Sequence, residues 1–549
     1  MEKKAKENNF LVQGSILAAA GILVRLIGMF YRIPLAEKIG DVGNGYYSAA
    51  YSIYSILLIM SSYSLPTAVS KMVSQRLGKG EYRNTGRILK AALIYATIAG
   101  GLAFCALWFG AEFFAESVIH MKYASYAIRV LAPTIWIMAY LGVLRGYFQG
   151  HSTMVPTAIS QILEQIVNAV ISIAAATLLF NLGLKSNAVY GETEYSYAFG
   201  AAGGAIGTGA GALTALLFFL GLTMHTGPER RRQMRKDRNS PQASYGEISR
   251  ILFATVAPII LSSVIYNIST VVDNSIFGQV MDSLGSEEET AIEWGVYMGR
   301  YHLLFNIPVA IANSLSASLI PSISRAAAAR NRRQVLAKID SAVRFSMIVA
   351  IPSAVGLSVL AAPISALLFG RMENAMLIRM LMMGSSAVVF FSLSTVTNAV
   401  LQGINHMNTP IRNAAISLVF HVGILYGMLK LFHLGIYSVV YSNIIFALMV
   451  CVLNNLSISR YVRYHQEIRK TFVVPLLAAG IMGALAFASY QICRRAFGNL
   501  LSTGLSVLLA ILVYFTLLIL FKGVEAEELR SMPGGTRLLR IARKAGLLR

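Results

Sequence analysis

The apolar residues of this chain arrive in blocks of about 20–28 residues separated by short polar stretches. A helix of that length crosses ~30 Å of hydrocarbon at ~1.5 Å per residue. About fourteen such blocks follow one another, at roughly 10–33, 46–70, 88–114, 124–147, 155–180, 198–224, 249–280, 293–320, 342–369, 376–402, 409–432, 435–458, 471–493 and 499–521. Fourteen wholly apolar helices inside one water-soluble body would leave too few polar residues to cover it. The pattern therefore predicts an all-α polytopic membrane protein. Lys3, Lys4 and Lys6 precede the first block as in a signal peptide. Its length and Arg25 within it predict that it stays as a helix.

Composition agrees: 56% of the 549 residues are apolar and only 13% charged, about half the ~25% of a soluble domain. The charge balance is strongly basic, 47 Lys+Arg against 25 Asp+Glu. Short cytoplasmic loops collect Lys and Arg, which orients the chain. With both termini inside, 35 of the 47 basic residues fall in inner segments and 8 in outer loops. Arg25, Arg32, Arg129 and Arg300 remain within helices. The run Arg230-Arg231-Arg232-Gln233-Met234-Arg235-Lys236 reads as a topology anchor; without interleaved aromatics it does not predict nucleic-acid binding. Arg494-Arg495 is the one awkward pair, because it falls outside.

Cys105, Cys451 and Cys493 lie in or at the end of apolar blocks with no metal or redox spacing. Gly78-Lys79-Gly80 lacks the rest of a P-loop, and no hydrolase motif occurs. The expectation is a non-enzyme without resident cofactor or metal.

An internal repeat organises the blocks. Gly45, Tyr47 and Tyr51 recur as Gly295, Tyr297 and Tyr301, Ser70-Lys71 as Ser324-Arg325, Ile128-Arg129 as Ile378-Arg379, Gln149-Gly150 as Gln402-Gly403, and Pro156 as Pro410. Blocks 1–6 pair with 7–12, and because six is even the two halves are parallel repeats. The expected organisation is a first lobe at 1–224, a basic cytoplasmic linker at 225–248, a second lobe at 249–458, two further helices within 459–525 and a basic cytoplasmic tail at 526–549. Repeat transporters bind substrate between their halves and work by alternating access. Gly203, Gly207 and Gly211 in block 6 suit close helix packing better than a hinge.

Charges inside a membrane cost roughly 2.5–3.5 kcal/mol each on insertion scales, so they face protein or water and mark function. Arg25 and Arg32 lie two turns apart on one face of block 1. For Arg25 and Arg300, lining of a cavity is the favoured reading over a structural ion pair; for Arg32 and Arg129, snorkelling is an equal alternative. Block 5 carries Gln161, Glu164, Gln165 and Asn168 at helical spacing. Glu164 reads first as the neutraliser of a cavity arginine and second as a site for H⁺ or Na⁺. Block 7 carries Ser263, Asn267, Thr270 and Asn274, beside Asp273, which reads as a partner of Arg300 or Arg25. Interior cations outnumber interior acids, which suits an anion, and the guanidinium fork matches phosphate oxygens.

Arg25-Leu26-Ile27-Gly28, Tyr31-Arg32-x-x-Leu35-Ala36, Gly43-x-Gly45-x-Tyr47, Leu65-Pro66-x-Ala68-x-Ser70-Lys71, Asn306-x-Pro308 and Pro321-Ser322-Ile323-Ser324 together resemble the MurJ/SpoVB branch of the multidrug/oligosaccharidyl-lipid/polysaccharide exporter superfamily. The resemblance implies a MATE-like two-lobed bundle of fourteen helices in the bacterial cytoplasmic membrane. It also implies movement of undecaprenyl-pyrophosphate-linked sugars, above all lipid II, for peptidoglycan synthesis. Arg25, Arg32 and Arg300 carry over as headgroup ligands. The second-helix arginine of Gram-negative-type lipid II flippases has no counterpart in Tyr46–Met60. The expected partners are a lipid-linked oligosaccharide, membrane lipids and cell-wall synthesis proteins, with the membrane potential, H⁺ or Na⁺ as energy source. The alternatives are a flippase for another polyprenyl-linked glycan, a cation-coupled drug exporter and a non-transporting scaffold for wall synthesis.

Overall fold

The computed structural model describes residues 2–151, 153–237, 241–283, 287–370 and 375–524. The expected tail at 526–549 and residues 238–240 of the expected linker lie outside them. Among the described residues every regular element is helical, the form that satisfies backbone groups where lipid offers no hydrogen bonds. Ten helices are long and apolar enough to cross a membrane among these residues, and a pair bent by 50° makes an eleventh.

The chain divides into two compact units, Met1–Gly299 and Arg300–Arg549. The first holds α1 (Glu2–Leu58), α2 (Leu65–Gly78), α3 (Tyr82–Phe113), α4 (Ala124–Gly150), α5 (Val155–Tyr190), α6 (Glu194–Lys236), α7 (Tyr245–Asp282) and α8 (Glu287–Gly295). The second holds α9 (His302–Ala328), α10 (Arg332–Val359), α11 (Ala361–Leu368), α12 (Ala375–Gly384), α13 (Ala387–Gly403), α14 (Asn408–Phe432), α15 (Ile436–Val462), α16 (Val474–Ala496) and α17 (Asn499–Leu520). The first two apolar blocks share α1, broken at Gly40, whose φ of 67° is non-helical. Glycine reaches that region without steric cost. Block 10 is the bent pair α12 and α13.

Small residues set the packing of the first unit. The seam Gly203, Gly207, Gly211 of α6 lies against α5, where an added Cβ would strike the backbone of Ala175, Ser172 and Glu164 in turn. Close packing is therefore what this tract does. Along α4, Gly146 meets the backbone of Pro66, and Gly150 meets Val73 on α2.

The expected linker is more ordered than its charge suggests. Helix α6 runs through the basic run to Lys236, twelve residues beyond the apolar block. Its exit is then clasped by the start of α3. The Arg83 amide donates to Asp237 (2.9 Å) and its Nε to the Met234 carbonyl (3.2 Å). Asn84 donates to the Pro241 carbonyl and accepts from the Ala243 amide. Arg87 donates to the Ala243 carbonyl at 2.6 Å.

In the second unit, the Asn413 amide donates to Asn454 (2.9 Å), which in turn donates to Asn398 (2.7 Å) and Thr397 (3.1 Å), joining α13, α14 and α15. The last helix is tied to α10 by the Tyr514 hydroxyl, which donates to the Ile348 carbonyl at 2.9 Å.

The repeat-related glycines Gly45 and Gly295 meet at one crossing of α1 and α8. A Cβ on Gly45 would overlap the Ala291 backbone, and one on Gly295 the Asp41 backbone. Backbone cannot swing aside as a side chain can. Gly45→Ala is expected to lower stability by about 1–3 kcal/mol, the usual cost of overpacking, read as a lower thermal midpoint of the detergent-purified chain. An unchanged midpoint contradicts the close crossing.

Candidate functional site

Arg32 and Tyr47 are fifteen positions apart in sequence, which in an unbroken helix would separate them by ~22 Å. The break at Gly40 brings them together. The Arg32 guanidinium donates to the Tyr31 hydroxyl and is close enough to the Tyr47 and Tyr51 hydroxyls to interact with them electrostatically. Tyr47, Tyr51 and Tyr54 form a ladder along α1, with ring centroids 6.1 and 5.4 Å apart. Arg32 itself is half-buried. Among the described residues no carboxylate lies within ion-pair distance of it; its neighbours are phenols.

Helix α5 supplies the rest of this cluster. Asn168, buried, donates to the Tyr31 hydroxyl at 3.4 Å and accepts from Ser172 at 2.9 Å. Ser172 is also within hydrogen-bond distance of the Gly204 carbonyl of α6. The Gln165 amide lies over Gly28, 3.1 Å from where a Cβ there would stand. One turn away, Glu164 accepts from Arg145 at 2.6 Å. Arg145 also reaches the Ser160 hydroxyl at 3.2 and 3.1 Å. Buried charges require such partners, because an unpaired one costs several kcal/mol. Gln161 is half-buried on the same helix.

Arg145 is the functional-site residue that charge sorting misses. It closes the fourth block, so counting assigns it to the inner-face charges. The signal that could have found it is its position, a cation at the end of a helix whose neighbour in sequence, α5, carries a lone acid two turns from its start. With Arg145 on Glu164, no described acid beside Arg32 cancels its charge.

The remaining candidates are placed as follows. Arg25 is exposed on α1 and Asn267 is exposed on α7, where it donates to the Ser263 carbonyl of its own helix. Asp273 is buried on α7. Arg129 pairs with Glu112 at 2.6 Å, which accounts for its place in block 4. Arg300 opens the second unit, fully buried in the π-helical turn Val296–Tyr301. Its guanidinium sits 5.8 Å from the ring of Phe369, within cation–π range. Turns of this kind recur at functional sites.

Residues 11–327 match the family model described as "Polysaccharide biosynthesis protein". The chain is 27% identical over 441 residues to the lipid II flippase MurJ of Bacillus subtilis (strain 168), covering 77% of this chain and 78% of that one. It is 25% identical over 539 residues to stage V sporulation protein B of the same organism, covering 97% and 99%. Among solved structures, the inward closed conformation of a lipid II flippase MurJ aligns with a TM-score of 0.65 at 15% identity, over 91% of this chain and 97% of that one. An inward-facing multidrug resistance MATE transporter of the MOP superfamily aligns with a TM-score of 0.61 at 18% identity, over 80% and 98%. The fold is thus that of MurJ and MATE transporters, and the chain is a multi-pass membrane protein.

The Arg145–Glu164 pair has a direct test. Arg145→Ala and Glu164→Ala are each expected to destabilise the purified chain, while the double variant loses less than the sum, with a coupling of about 1–3 kcal/mol. Thermal or denaturant unfolding of the four proteins measures it. Additive losses contradict the pairing.

Proposed function

Because the chain belongs to the polysaccharide biosynthesis protein family, we propose that it is a flippase that carries an undecaprenyl-pyrophosphate-linked glycan, lipid II in the first place, across the bacterial cytoplasmic membrane by alternating access. The observation that carries this reading is the cluster around Arg32. Glu164 is neutralised by Arg145, and among the described residues Arg32 has phenols about it and no carboxylate, so the charge presented is that of an unspent guanidinium. A pyrophosphate answers that charge with several acceptor oxygens at bidentate spacing. A cationic drug would be repelled. Tyrosine hydroxyls can donate to phosphate or sugar oxygens without adding charge. Arg32 and Arg300 are the proposed headgroup ligands, with Arg25 at the exposed approach on α1.

Transport needs no bond to be made or broken. Its driving force is taken to be the membrane potential, worth about 2.3 kcal/mol per charge per 100 mV, or a coupled H⁺ or Na⁺. A second reading is a different polyprenyl-linked glycan used in sporulation, favoured by the near-complete alignment with stage V sporulation protein B.

In vesicles containing the purified chain and fluorescent lipid II, Arg32→Ala and Arg300→Ala are each expected to slow flipping by about ten- to a hundredfold. That is the loss of roughly 1.5–3 kcal/mol from a charged hydrogen bond. Wild-type rates in both variants count against the reading. Headgroup competition separates the two glycans: a sporulation glycan that displaces lipid II at lower concentration favours the second reading.

A further inference from the structure

A groove of about 490 Å³ runs between α3, α4 and α6 of the first unit, lined by none of the residues of the Arg32 cluster. Its walls are Leu89, Leu93, Leu144, Leu216 and Leu220, and two cations, Lys90 and Arg230, stand toward one end. We propose that this groove is a binding site for an anionic glycerophospholipid, holding one acyl chain along the leucines and the phosphate between Lys90 and Arg230.

Three features support that occupant. The first is charge: among the described residues neither cation has an acidic partner, and the Arg230 guanidinium stands over the face of Tyr147, 5.8 Å from the ring centroid. Cations left without acids beside an apolar channel complement a ligand with an anionic head and a hydrocarbon body.

The second is length. Leu216 and Arg230 are fourteen residues apart on one helix, ~21 Å along its axis. One leaflet, headgroup included, is half of ~40–45 Å. The cations then lie at headgroup level and Leu216 near the bilayer centre. Lys90 and Arg230 share a level because α3 begins where α6 ends, joined by the Arg83 bonds to Met234 and Asp237.

The third is that the walls are built. Gly86 leaves room for Met234, whose Cε lies 2.9 Å from where a Cβ would stand. Deeper in, the hydroxyls of Thr97 and Tyr140 bond at 2.8 Å and join α3 to α4. Leu220 and the flanking Leu217 are exposed, so the groove is open to the acyl phase.

Native mass spectrometry of the full chain in mild detergent, supplied with phosphatidylglycerol or phosphatidylethanolamine, tests this. Phosphatidylglycerol is expected to be retained about thirtyfold better, as two near-surface cations would give. The Lys90→Ala/Arg230→Ala pair should abolish that preference, and Leu216→Trp, which fills the groove, should reduce retention with both charges intact. The neighbouring Arg231→Ala/Arg232→Ala pair should retain phosphatidylglycerol as the wild type does. Equal retention of the two lipids overturns the proposal, as does an equal fall in both double variants. Preferential displacement by undecaprenyl phosphate overturns it in favour of a track for a polyprenyl tail.

Discussion

Hydrocarbon offers no hydrogen bonds, so every polar group that this chain carries into the membrane must find its partner within the protein. The interior of the first unit meets that demand in two ways. Glu164 is held by an arginine and a serine stands beside them, so the charge is cancelled where it is buried. Arg32 is surrounded by hydroxyls that solvate its cation without neutralising it. One arrangement stabilises the bundle. The other leaves the charge of the cation uncancelled.

Helices that bring these groups together must approach closely, and small residues make that possible. The α5 face bearing Glu164, Asn168 and Ser172 lies on the Gly207–Gly211 seam of α6. Larger side chains there would push α5 off and carry its polar stripe away from Tyr31. The crossing at Gly45 and Gly295 does the same for the tyrosine ladder of α1, which continues directly from it. Packing and chemistry therefore share the same helix contacts, and a loss at the seam would be felt at the Arg32 cluster.

The spans were legible in the sequence because an apolar run of membrane length rarely forms anything but a membrane-crossing helix. Most predicted blocks coincide with helices, as in Asn408–Phe432 and Asn499–Leu520. The α5 stripe was legible for a similar reason, since helical spacing puts Glu164, Gln165 and Asn168 on one side. Other features depend on tertiary geometry that periodicity does not carry. Arg25 and Arg32 share a helical face by spacing, yet the reversal at Gly40 gives Arg32 the phenols, while Arg25 is exposed. Arg145 looked like a loop charge because hydropathy cannot tell a helix end that faces water from one that faces a carboxylate. Asn267 fitted a polar stripe but bonds to its own helix. The basic run after block 6 looked like a linker by composition, and its order comes from Arg83, Asn84 and Arg87 far away in the chain.

The central claim is that Arg32 lies in a wet pocket that a pyrophosphate can enter. A Gln165→Cys chain, which keeps Arg32, with Cys105, Cys451 and Cys493 replaced by alanine puts that to a single measurement, the rate at which a charged, water-soluble thiol reagent labels the new cysteine. The account predicts ready labelling in membranes and slower labelling once a lipid-linked pyrophosphate is added. A thiol that ignores the charged reagent yet reacts with a lipid-soluble one would contradict it.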